Sequence, residues 1–475
     1  MSILFNIILQ SIIAALAITE SGDTLANINC REMLVPASNM KVITTGAALN
    51  RLGGDYKWET KIGYSGNISD GVLHGDLYII GGADPVLGSP VSFAYPIEDT
   101  FAQWLGFIRG AGIEKIDGNI VGDGRYIDGP MEDPTWLWED LGTYYGTGVT
   151  GLNFFENRKD FNVSPGTALG ADVKIEDSYP ETPWMTYSYD CSTGNRNTGD
   201  QLYLYTTRLA PAGTITGTYA LEKKPKVLNC SNKYPEYTCA NYFKKYLENA
   251  GIHSEGAADA GSCFSLGTPS LIPQDKLTVI GKTSSPNLAK VIRETNFESN
   301  NFMAETLFRT LGKVMTGSAS LESSRSALNS ELRRMGVATS GKARIKDGSG
   351  LSRANYVSPE FFCSFLKAMT RTKEYPVFLE SMPVVGRTGT VRTRLGNVSD
   401  SQRTRVRMKS GSMDGVRCYC GYILPSSAAV SASGGKTVSG QTIIFSFMIN
   451  NSTASTAEQN AAADKFISKL LETRF

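Results

Sequence analysis

The amino-acid sequence predicts an α+β multidomain fold, in which an antiparallel sheet has helices on its faces and two nested, largely β segments are inserted. A chain of 475 residues with 41% hydrophobic content can bury a large core and is expected to form about two to four domains. Alternating apolar residues from Arg405 to Leu424 and from Gln441 to Asn450 indicate paired strands. A helix from about Thr456 to Thr473 is predicted to close the chain.

The earlier elements are predicted from the same periodicities. Ile12 to Thr19 and Thr24 to Asn27 indicate two strands joined by a Ser-Gly-Asp turn. The apolar run Val42 to Leu49 indicates a helix, and Phe101 to Gly110 indicates another within a stretch of strand and turn patterns.

The organisation of the chain predicts a discontinuous first domain, residues 1–56 and 283–475. It is interrupted by an outer insertion, residues 57–168 and 263–282, that has strand and turn patterns. An inner insertion, residues 169–262, is rich in Thr, Tyr and Gly and is predicted to be mostly β.

Composition excludes several classes of function. With 47 basic and 46 acidic residues the net charge is +1, which provides no field that would favour nucleic acid or an anionic membrane. Only two histidines occur, His74 and His253, and neither lies in a motif. A Ser-His-Asp triad or a histidine-rich metal site is therefore not expected, and we predict no metal and no cofactor. A serine enzyme of this composition needs lysine as its base.

The N-terminal segment and the cysteines bear on the compartment. Ile3 to Ile18 is mostly apolar, but no Lys or Arg precedes Arg31, so the basic region of a signal peptide is missing and we interpret the segment as mature structure. No other segment is long and apolar enough to span a bilayer, so we predict no integral membrane segment. Four cysteines of the insertion are candidates for one or two disulfide bonds: Cys191, Cys230, Cys239 and Cys263.

A candidate nucleophile lies at the start of the Val42 helix. Ser38 and Lys41 stand three residues apart in Pro-Ala-Ser-Asn-Met-Lys. Residues three apart on a helix share a face, so the amine is expected within hydrogen-bond reach of the hydroxyl. Serine becomes a nucleophile when an adjacent base activates it, and the pair therefore predicts serine chemistry with a lysine base.

The Ser-x-x-Lys pattern is weak alone, because about two copies are expected by chance in a chain of this length. The second copy, Ser364 to Lys367, lies among apolar residues that predict a core helix, and we interpret it as structural. Ser38 differs from Ser364 because Ser299-Asn300-Asn301 and Lys409-Ser410-Gly411 follow it, in the order and wide spacing of serine penicillin-recognising enzymes. Ser299 is predicted to lie on a loop between two helices, where polar side chains can face a cleft.

Longer segments resemble one family. Pro36 to Leu49, Asp347 to Pro359 and Lys409 to Ser412 resemble the class C low-molecular-mass penicillin-binding proteins, the peptidase S13 family of D-alanyl-D-alanine carboxypeptidases and endopeptidases. The long stretch between Lys41 and Ser299 resembles the insertion of that family. The resemblance spans nearly the whole chain and implies the penicillin-binding/β-lactamase-like transpeptidase fold for the first domain.

The resemblance also implies a reaction: a serine DD-peptidase that hydrolyses D-Ala-D-Ala bonds, and cross-link bonds, of peptidoglycan stem peptides through an acyl-enzyme. β-Lactam antibiotics are then covalent inhibitors, and the location is periplasmic or otherwise extracytoplasmic. Ser38 is expected to be the nucleophile and Lys41 its base, with an amine kept neutral by partial burial and by the nearby Lys409 cation. Ser299 is expected to relay a proton to the leaving amine, and Asn301 to bond the substrate backbone.

Further residues are expected to bind the substrate. Ser410 and Ser412 correspond to hydroxyl residues that hold the terminal carboxylate, and Gly411 leaves space for the substrate against the strand. The N–H groups of Ser38 and Ser412 are the expected oxyanion hole, at roughly 3 to 4 kcal/mol for each donor. Arg353 is a candidate to reach the cleft.

Other interpretations stay open at this point. A β-lactamase or esterase of the same fold is one, and a catalytically weak penicillin-fold binding module is another, although a binding module has no need of Lys41. Whether carboxypeptidase or endopeptidase activity dominates is open, as is the residue accepted at the third stem-peptide position. Glu156 is an approximate match to an acidic family residue that reads that side chain. Arg387 to Thr390 imitates the third motif, and we interpret it as a structural loop.

Overall fold

The computed structural model describes residues 11–260, 266–267, 272–426 and 440–473. The chain divides into two compact units. The first comprises Met1–Tyr56, Asn287–Gly317 and Leu321–Phe475, and the second comprises Lys57–Pro286 with Ser318–Ser320. The separation of an inner insertion at residues 169–262 stays a prediction.

The strands of the described residues are numbered in chain order. They are β1 Ile12–Thr19, β2 Thr24–Ile28, β3 Glu59–Tyr64, β4 Asn67–Ser69, β5 Val72–His74, β6 Leu77–Ile80, β7 Lys115–Ile116, β8 Asn119–Asp123, β9 Arg158–Ser164, β10 Lys174–Asp177, β11 Thr186–Gly194, β12 Tyr203–Thr206, β13 Ala212–Ala220, β14 Lys226–Ser231, β15 Gly256–Ala260, β16 Thr278–Ser284, β17 Ala343–Arg344, β18 Tyr356–Val357, β19 Val406–Met413, β20 Val416–Ile423 and β21 Ile443–Asn450.

The α-helices of the described residues are numbered in the same way. They are α1 Met40–Leu52, α2 Ile97–Gly110, α3 Pro235–Asn249, α4 Leu288–Phe297, α5 Asn301–Thr316, α6 Leu321–Arg334, α7 Pro359–Met369, α8 Tyr375–Ser381, α9 Asp400–Arg403 and α10 Thr456–Glu472. Short 3₁₀ helices occur at Ala37–Asn39, Trp138–Asp140, Tyr144–Gly146, Phe155–Asn157, Gln274–Lys276 and Gly389–Val391.

The first unit is built on a five-stranded antiparallel sheet in the order β19-β20-β21-β1-β2. Alternate residues of a strand face opposite sides of a sheet. Ala15 and Ala17 accordingly belong to the core shared with Ile467 of α10. On the other face, the Tyr422 hydroxyl donates to the carbonyl of Leu366 in α7, at 2.8 Å. Helices therefore cover both faces, as the sequence predicted.

The second unit contains a five-stranded mixed sheet in the order β15-β8-β6-β3-β16, in which β8 is parallel to both β15 and β6. Helices α2 and α3 pack on it through an aromatic cluster that includes Phe101, Trp104 and Phe243. Three smaller three-stranded sheets complete the unit, in the orders β10-β9-β14, β11-β13-β12 and β4-β5-β7.

Helix α3 was not predicted, since its segment was assigned to a mostly β insertion. The signal was present: Pro235 occupies the first helical turn, and Cys239, Phe243 and Leu247 follow at intervals of four and are all buried. A Tyr- and Thr-rich composition favoured strands and outweighed this short periodic run.

The cysteines and the search for membrane spans give two further findings. Cys191, Cys230 and Cys239 are free thiols, so none of these three forms a disulfide, and Cys263 lies outside the described residues. Within the described ranges, no helix has both the length and the apolar composition that crossing a bilayer requires.

Candidate active site

Ser38 lies in the 3₁₀ turn Ala37–Asn39 that leads directly into α1, and Lys41 lies in the first turn of that helix. The Lys41 Nζ atom is 2.9 Å from the Ser38 Oγ atom, as the spacing predicted. Gly350 packs against this turn. Its φ is +84°, and a Cβ atom at this position would lie 1.9 Å from the Ala37 carbonyl oxygen. Only glycine fits there, because both the conformation and the close approach exclude a side chain.

The Lys41 amine has two further contacts. Its Nζ atom donates to Asn301 Oδ1 at 2.6 Å and to the carbonyl oxygen of Ser349 at 2.8 Å. Neither oxygen carries a hydrogen, so each must accept one. A neutral amine has two N–H bonds and one lone pair, and these two acceptors take both hydrogens. The lone pair is then left for the Ser38 hydroxyl, which is the arrangement a base needs.

Burial favours the neutral form of the Lys41 amine. The Lys41 side chain has no exposed surface, and this loss of hydration lowers its pKa well below the usual 10.5. The Lys409 cation lowers the pKa further, while Asp347 and Glu305 raise it. The sequence named both depressing causes, but burial is complete rather than partial and is the larger of the two.

Lys409 of β19 forms the second lysine–serine contact. Its Nζ atom donates to Ser299 Oγ at 2.9 Å and to its neighbour's carbonyl oxygen, that of Ser410, at 2.8 Å. Lys409 is also fully buried, and burial lowers its pKa to about 7. Ser299 lies between α4 and α5 with φ at +60°. Asn300 fixes this bend, because its side chain caps α5 by accepting the N–H of Met303 at 3.0 Å.

The structure thus brings the three sequence motifs together. Asn301 bonds Lys41, and Ser299 bonds Lys409, so the second motif contacts both lysines. Gly411 packs against the nucleophile turn, and the space for substrate that we expected it to leave stays a prediction. A Cβ atom at Gly411 would lie 2.7 Å from the Pro36 carbonyl oxygen and 3.1 Å from the Ser38 nitrogen, so a side chain there would collide with this turn.

The remaining predicted residues lie as follows. Ser410 is half-buried and Ser412 is exposed on β19. Arg353 is exposed and donates to the carbonyl of Asp414 at 3.4 Å, and its role in binding substrate stays a prediction. Glu156 is buried and accepts from Ser89 Oγ at 2.5 Å, and its role in reading the substrate side chain stays a prediction.

Two sequence imitations are also resolved. The Ser364 hydroxyl donates to the Glu360 carbonyl of its own helix, so the structural interpretation of that copy is confirmed. In the Arg387–Thr390 segment, Thr388 Oγ1 accepts the Val384 N–H within the loop. The contact between Thr390 and Ser410 was not predicted: their hydroxyl oxygens lie 2.7 Å apart.

Comparisons with known proteins identify the family of the chain. The model of the D-Ala-D-Ala carboxypeptidase 3 (S13) family matches residues 8–470. A D-alanyl-D-alanine carboxypeptidase from Actinomadura sp. is 25% identical over 85% of this chain and 73% of its own length. The penicillin-sensitive carboxypeptidase A of Dictyostelium discoideum is 26% identical over 96% of this chain and 86% of its own.

A solved structure has the same fold. The crystal structure of penicillin binding protein 4 from Haemophilus influenzae superposes with a TM-score of 0.81 at 22% identity, covering 99% of this chain and 98% of that one. A second crystal structure of the same protein, complexed with a β-lactam, gives a TM-score of 0.76 at 21% identity, with the same coverage. The penicillin-binding fold predicted from the sequence is confirmed.

Proposed function

The chain belongs to the D-Ala-D-Ala carboxypeptidase 3 (S13) family, and on that premise we propose which residues carry out its reaction, on which substrate and in which compartment. It is a serine-type DD-peptidase. The assignment of roles rests on one observation: two acceptors take the hydrogens of the Lys41 amine, so its lone pair points toward Ser38.

In the proposed acylation, the Ser38 oxygen attacks the carbonyl carbon of the penultimate D-alanine while Lys41 takes the hydroxyl proton. The C–N bond breaks, and the proton passes through Ser299 to the leaving nitrogen, which returns Lys41 to its neutral form. In deacylation Lys41 takes a proton from a water molecule, and the resulting hydroxide adds to the acyl carbon. The ester C–O bond to Ser38 then breaks, and Lys41 returns the proton to the Ser38 oxygen. The Ser38 and Ser412 N–H groups stabilise the oxyanion in both steps.

The proposed substrate is the stem peptide of peptidoglycan. Strand β19 is the edge strand of its sheet, and edge strands bind extended peptides through their backbone. Ser410 and Ser412 on that strand offer hydroxyls to the terminal carboxylate, Lys409 adds a positive charge when it is protonated, and Asn301 bonds the peptide backbone. Peptidoglycan lies outside the cytoplasm, so the proposed location is periplasmic or otherwise extracytoplasmic.

β-Lactams are the proposed covalent inhibitors. Their strained amide presents a carbonyl to the nucleophile, and opening of the ring leaves the leaving group attached, so the ester on Ser38 is slow to hydrolyse. The relatives support this, since one is described as penicillin-sensitive and one was crystallised with a β-lactam.

The test is mass spectrometry of the protein after exposure to penicillin, followed by assay of D-alanine release from a pentapeptide ending in D-Ala-D-Ala. We expect one adduct on Ser38 and release of D-alanine, and neither in Ser38→Ala. Ser364→Ala is the matched control, because it removes the other Ser-x-x-Lys serine, and it should react like the wild type. Absence of an adduct would contradict the mechanism, an adduct without D-alanine release would favour endopeptidase use, and rapid turnover of penicillin would indicate a β-lactamase.

A further inference from the structure

Glu305 is a buried acid close to the site that the proposed mechanism does not use. It lies on α5 four residues after Asn301, so the two side chains share one face of the helix. Only 4% of Glu305 is exposed. Asn301 holds the Lys41 amine directly, which makes the next turn of the same helix the natural place for a supporting group.

Glu305 reaches Lys41 through one residue of the neighbouring loop. Its Oε1 atom accepts the N–H of Ser349 at 2.7 Å, and the carbonyl of Ser349 accepts from Lys41 Nζ at 2.8 Å. The position of that carbonyl decides where one of the two amine hydrogens points, and hence where the lone pair points. The hydrogen bond from the Ser349 N–H to Glu305 therefore helps to fix the orientation of the Lys41 amine.

The loop is anchored on both sides of Ser349. Asp347 accepts the N–H groups of Gly350 at 2.9 Å and Ser352 at 2.6 Å. Gly348 packs against α5, where a Cβ atom would lie 2.5 Å from the Cβ of Phe308. Without Glu305, however, the Ser349 N–H would lose its acceptor in a buried position, which favours rotation of that peptide.

Charged and titratable groups lie close to both Lys41 and Glu305. Burial and the nearby Asp347 raise the pKa of Glu305 to about 8, while hydrogen bonds from Gly348 and Ser349 act in the opposite direction. Lys409 is the other cation that acts on Lys41, and Arg309, one turn beyond Glu305, is a buried charge on the same helix. An ionised Glu305 raises the pKa of Lys41, as Asp347 does, so the charge of Glu305 and its hydrogen bond to Ser349 are separate effects on the base.

We infer that Glu305 is a positioning residue of the active site, which holds the Ser349 amide and thereby aims the Lys41 lone pair at Ser38. This inference rests on the proposed function, since it takes Lys41 as the base. It assigns the carboxyl group a geometric role rather than that of a counter-ion.

The test compares Glu305→Gln with Glu305→Met by the rate of acylation with a fluorescent penicillin, measured from pH 5 to 9. Gln keeps an acceptor oxygen and is always neutral, so we expect a loss of only about threefold, the size of a weakened hydrogen bond. Met has a similar volume but no acceptor, and we expect a loss of about 10- to 100-fold, because misplacement of the base carries a penalty of that size.

The pH dependence separates positioning from charge. If Glu305 acts through its hydrogen bond to Ser349, Glu305→Gln keeps most of the plateau rate and Glu305→Met does not, even where loss of the charge moves the acid limb of the profile to lower pH in both. If Glu305 acts only as a counter-ion, the two variants lose the same charge and give the same profile, with the acid limb shifted and the plateau rate of the wild type. The latter result would overturn the inference, as would a Met variant that reacts at the wild-type rate or a Gln variant as slow as Met.

Glu331 provides the matched control. It is a fully buried glutamate of the same unit, on α6, and accepts from Asn50 Nδ2 at 2.7 Å. Glu331→Gln and Glu331→Met should change thermal stability without altering the acylation rate per folded molecule. If Glu305→Met does not fold, Glu305→Leu, which also lacks an acceptor, replaces it in the same comparison with Glu305→Gln. A wild type without an adduct contradicts the proposed function, whereas a wild-type adduct with an unaffected Met variant contradicts the Glu305 inference alone.

Discussion

The buried lysines of the two units are held in different ways. Among the described residues, Lys159 and Lys233 of the second unit are buried, and each bonds a carboxylate. Lys41 and Lys409 of the first unit are as deeply buried, and both bond serine hydroxyls and carbonyl oxygens. The units therefore place the same side chain in two electrostatic settings, one with a counter-ion and one without.

The difference separates structural from chemical lysines. A buried charge needs a partner because the loss of hydration is otherwise not offset. Asp177 and Glu132 supply that partner to Lys159 and Lys233, and each raises the pKa that burial lowers. Lys409, without such a partner, has its pKa lowered to about 7. A lysine that releases its proton near neutral pH can act as a base, so the missing counter-ion marks the reactive site.

The strongest way to break this comparison is to remove one lysine of each kind. Lys41→Met should reduce the acylation rate by about 100- to 10,000-fold, the usual contribution of a general base. Its free energy of unfolding should fall less than that of Lys233→Met, because the substitution leaves only neutral acceptors without their donor, whereas Lys233→Met leaves a largely buried carboxylate unpaired. Rates of adduct formation and urea unfolding curves measure the two effects.

Lys233→Met should do the reverse. Removing one partner of a buried ion pair lowers the free energy of unfolding by about 3 kcal/mol, the lower end of the usual range because Glu132 keeps some contact with solvent. Its acylation rate per folded molecule should equal that of the wild type. The comparison fails if Lys41→Met is the less stable variant.

A second prediction concerns pH and Lys409. Its pKa is about 7 in the folded protein and 10.5 in the unfolded chain, so the unfolded state binds more protons between these values. The stability that this group contributes is present above pH 10.5 and is lost as the pH falls toward 7. Lys409→Met should therefore be more stable than the wild type at pH 7, by at most about 5 kcal/mol, and the gain should shrink toward pH 10.

Urea unfolding at pH 7, 8.5 and 10 measures that gain. Lys233→Met serves as the reference of opposite sign, since it should be less stable than the wild type at pH 7. A Lys409→Met difference that does not change with pH would show that the buried amine is not the source of the effect.

Part of the site could be predicted from the sequence because the contact between Ser38 and Lys41 joins residues only three positions apart. Ser38 and Lys41 meet through helix geometry alone, and alternation along Arg405–Leu424 was sufficient to place Lys409 on a strand. The order of the motifs then indicated that Ser299 and Asn301 would join them. The antiparallel sheet with helices on both faces follows from the same periodicities.

The support of the base could not be predicted in this way. Ser349 contributes a backbone carbonyl, which every residue has, and it meets Lys41 across 308 positions of the chain. Glu305 has the spacing of an ordinary buried helix residue, and only the loop packed against α5 gives it a role. The approach of the nucleophile turn to Gly411 was not predicted either, because the sequence does not show which backbone lies beside that glycine.

The smallest effect is expected at Thr390, an exposed residue that contacts Ser410, the neighbour of Lys409. The Thr390 hydroxyl lies 2.7 Å from that of Ser410, the proposed contact of the substrate carboxylate. Thr390→Val removes one neutral hydrogen bond, worth about 0.5 to 1.5 kcal/mol, so kcat/KM for a pentapeptide should fall by about 2- to 12-fold, mainly through KM. Thr390→Ser keeps the hydroxyl and should restore the wild-type value. A loss in Thr390→Val as large as that in Lys41→Met would show that residues essential for the reaction extend to this exposed loop. Burial without a carboxylate partner would then not be what distinguishes the reactive residues from the structural ones.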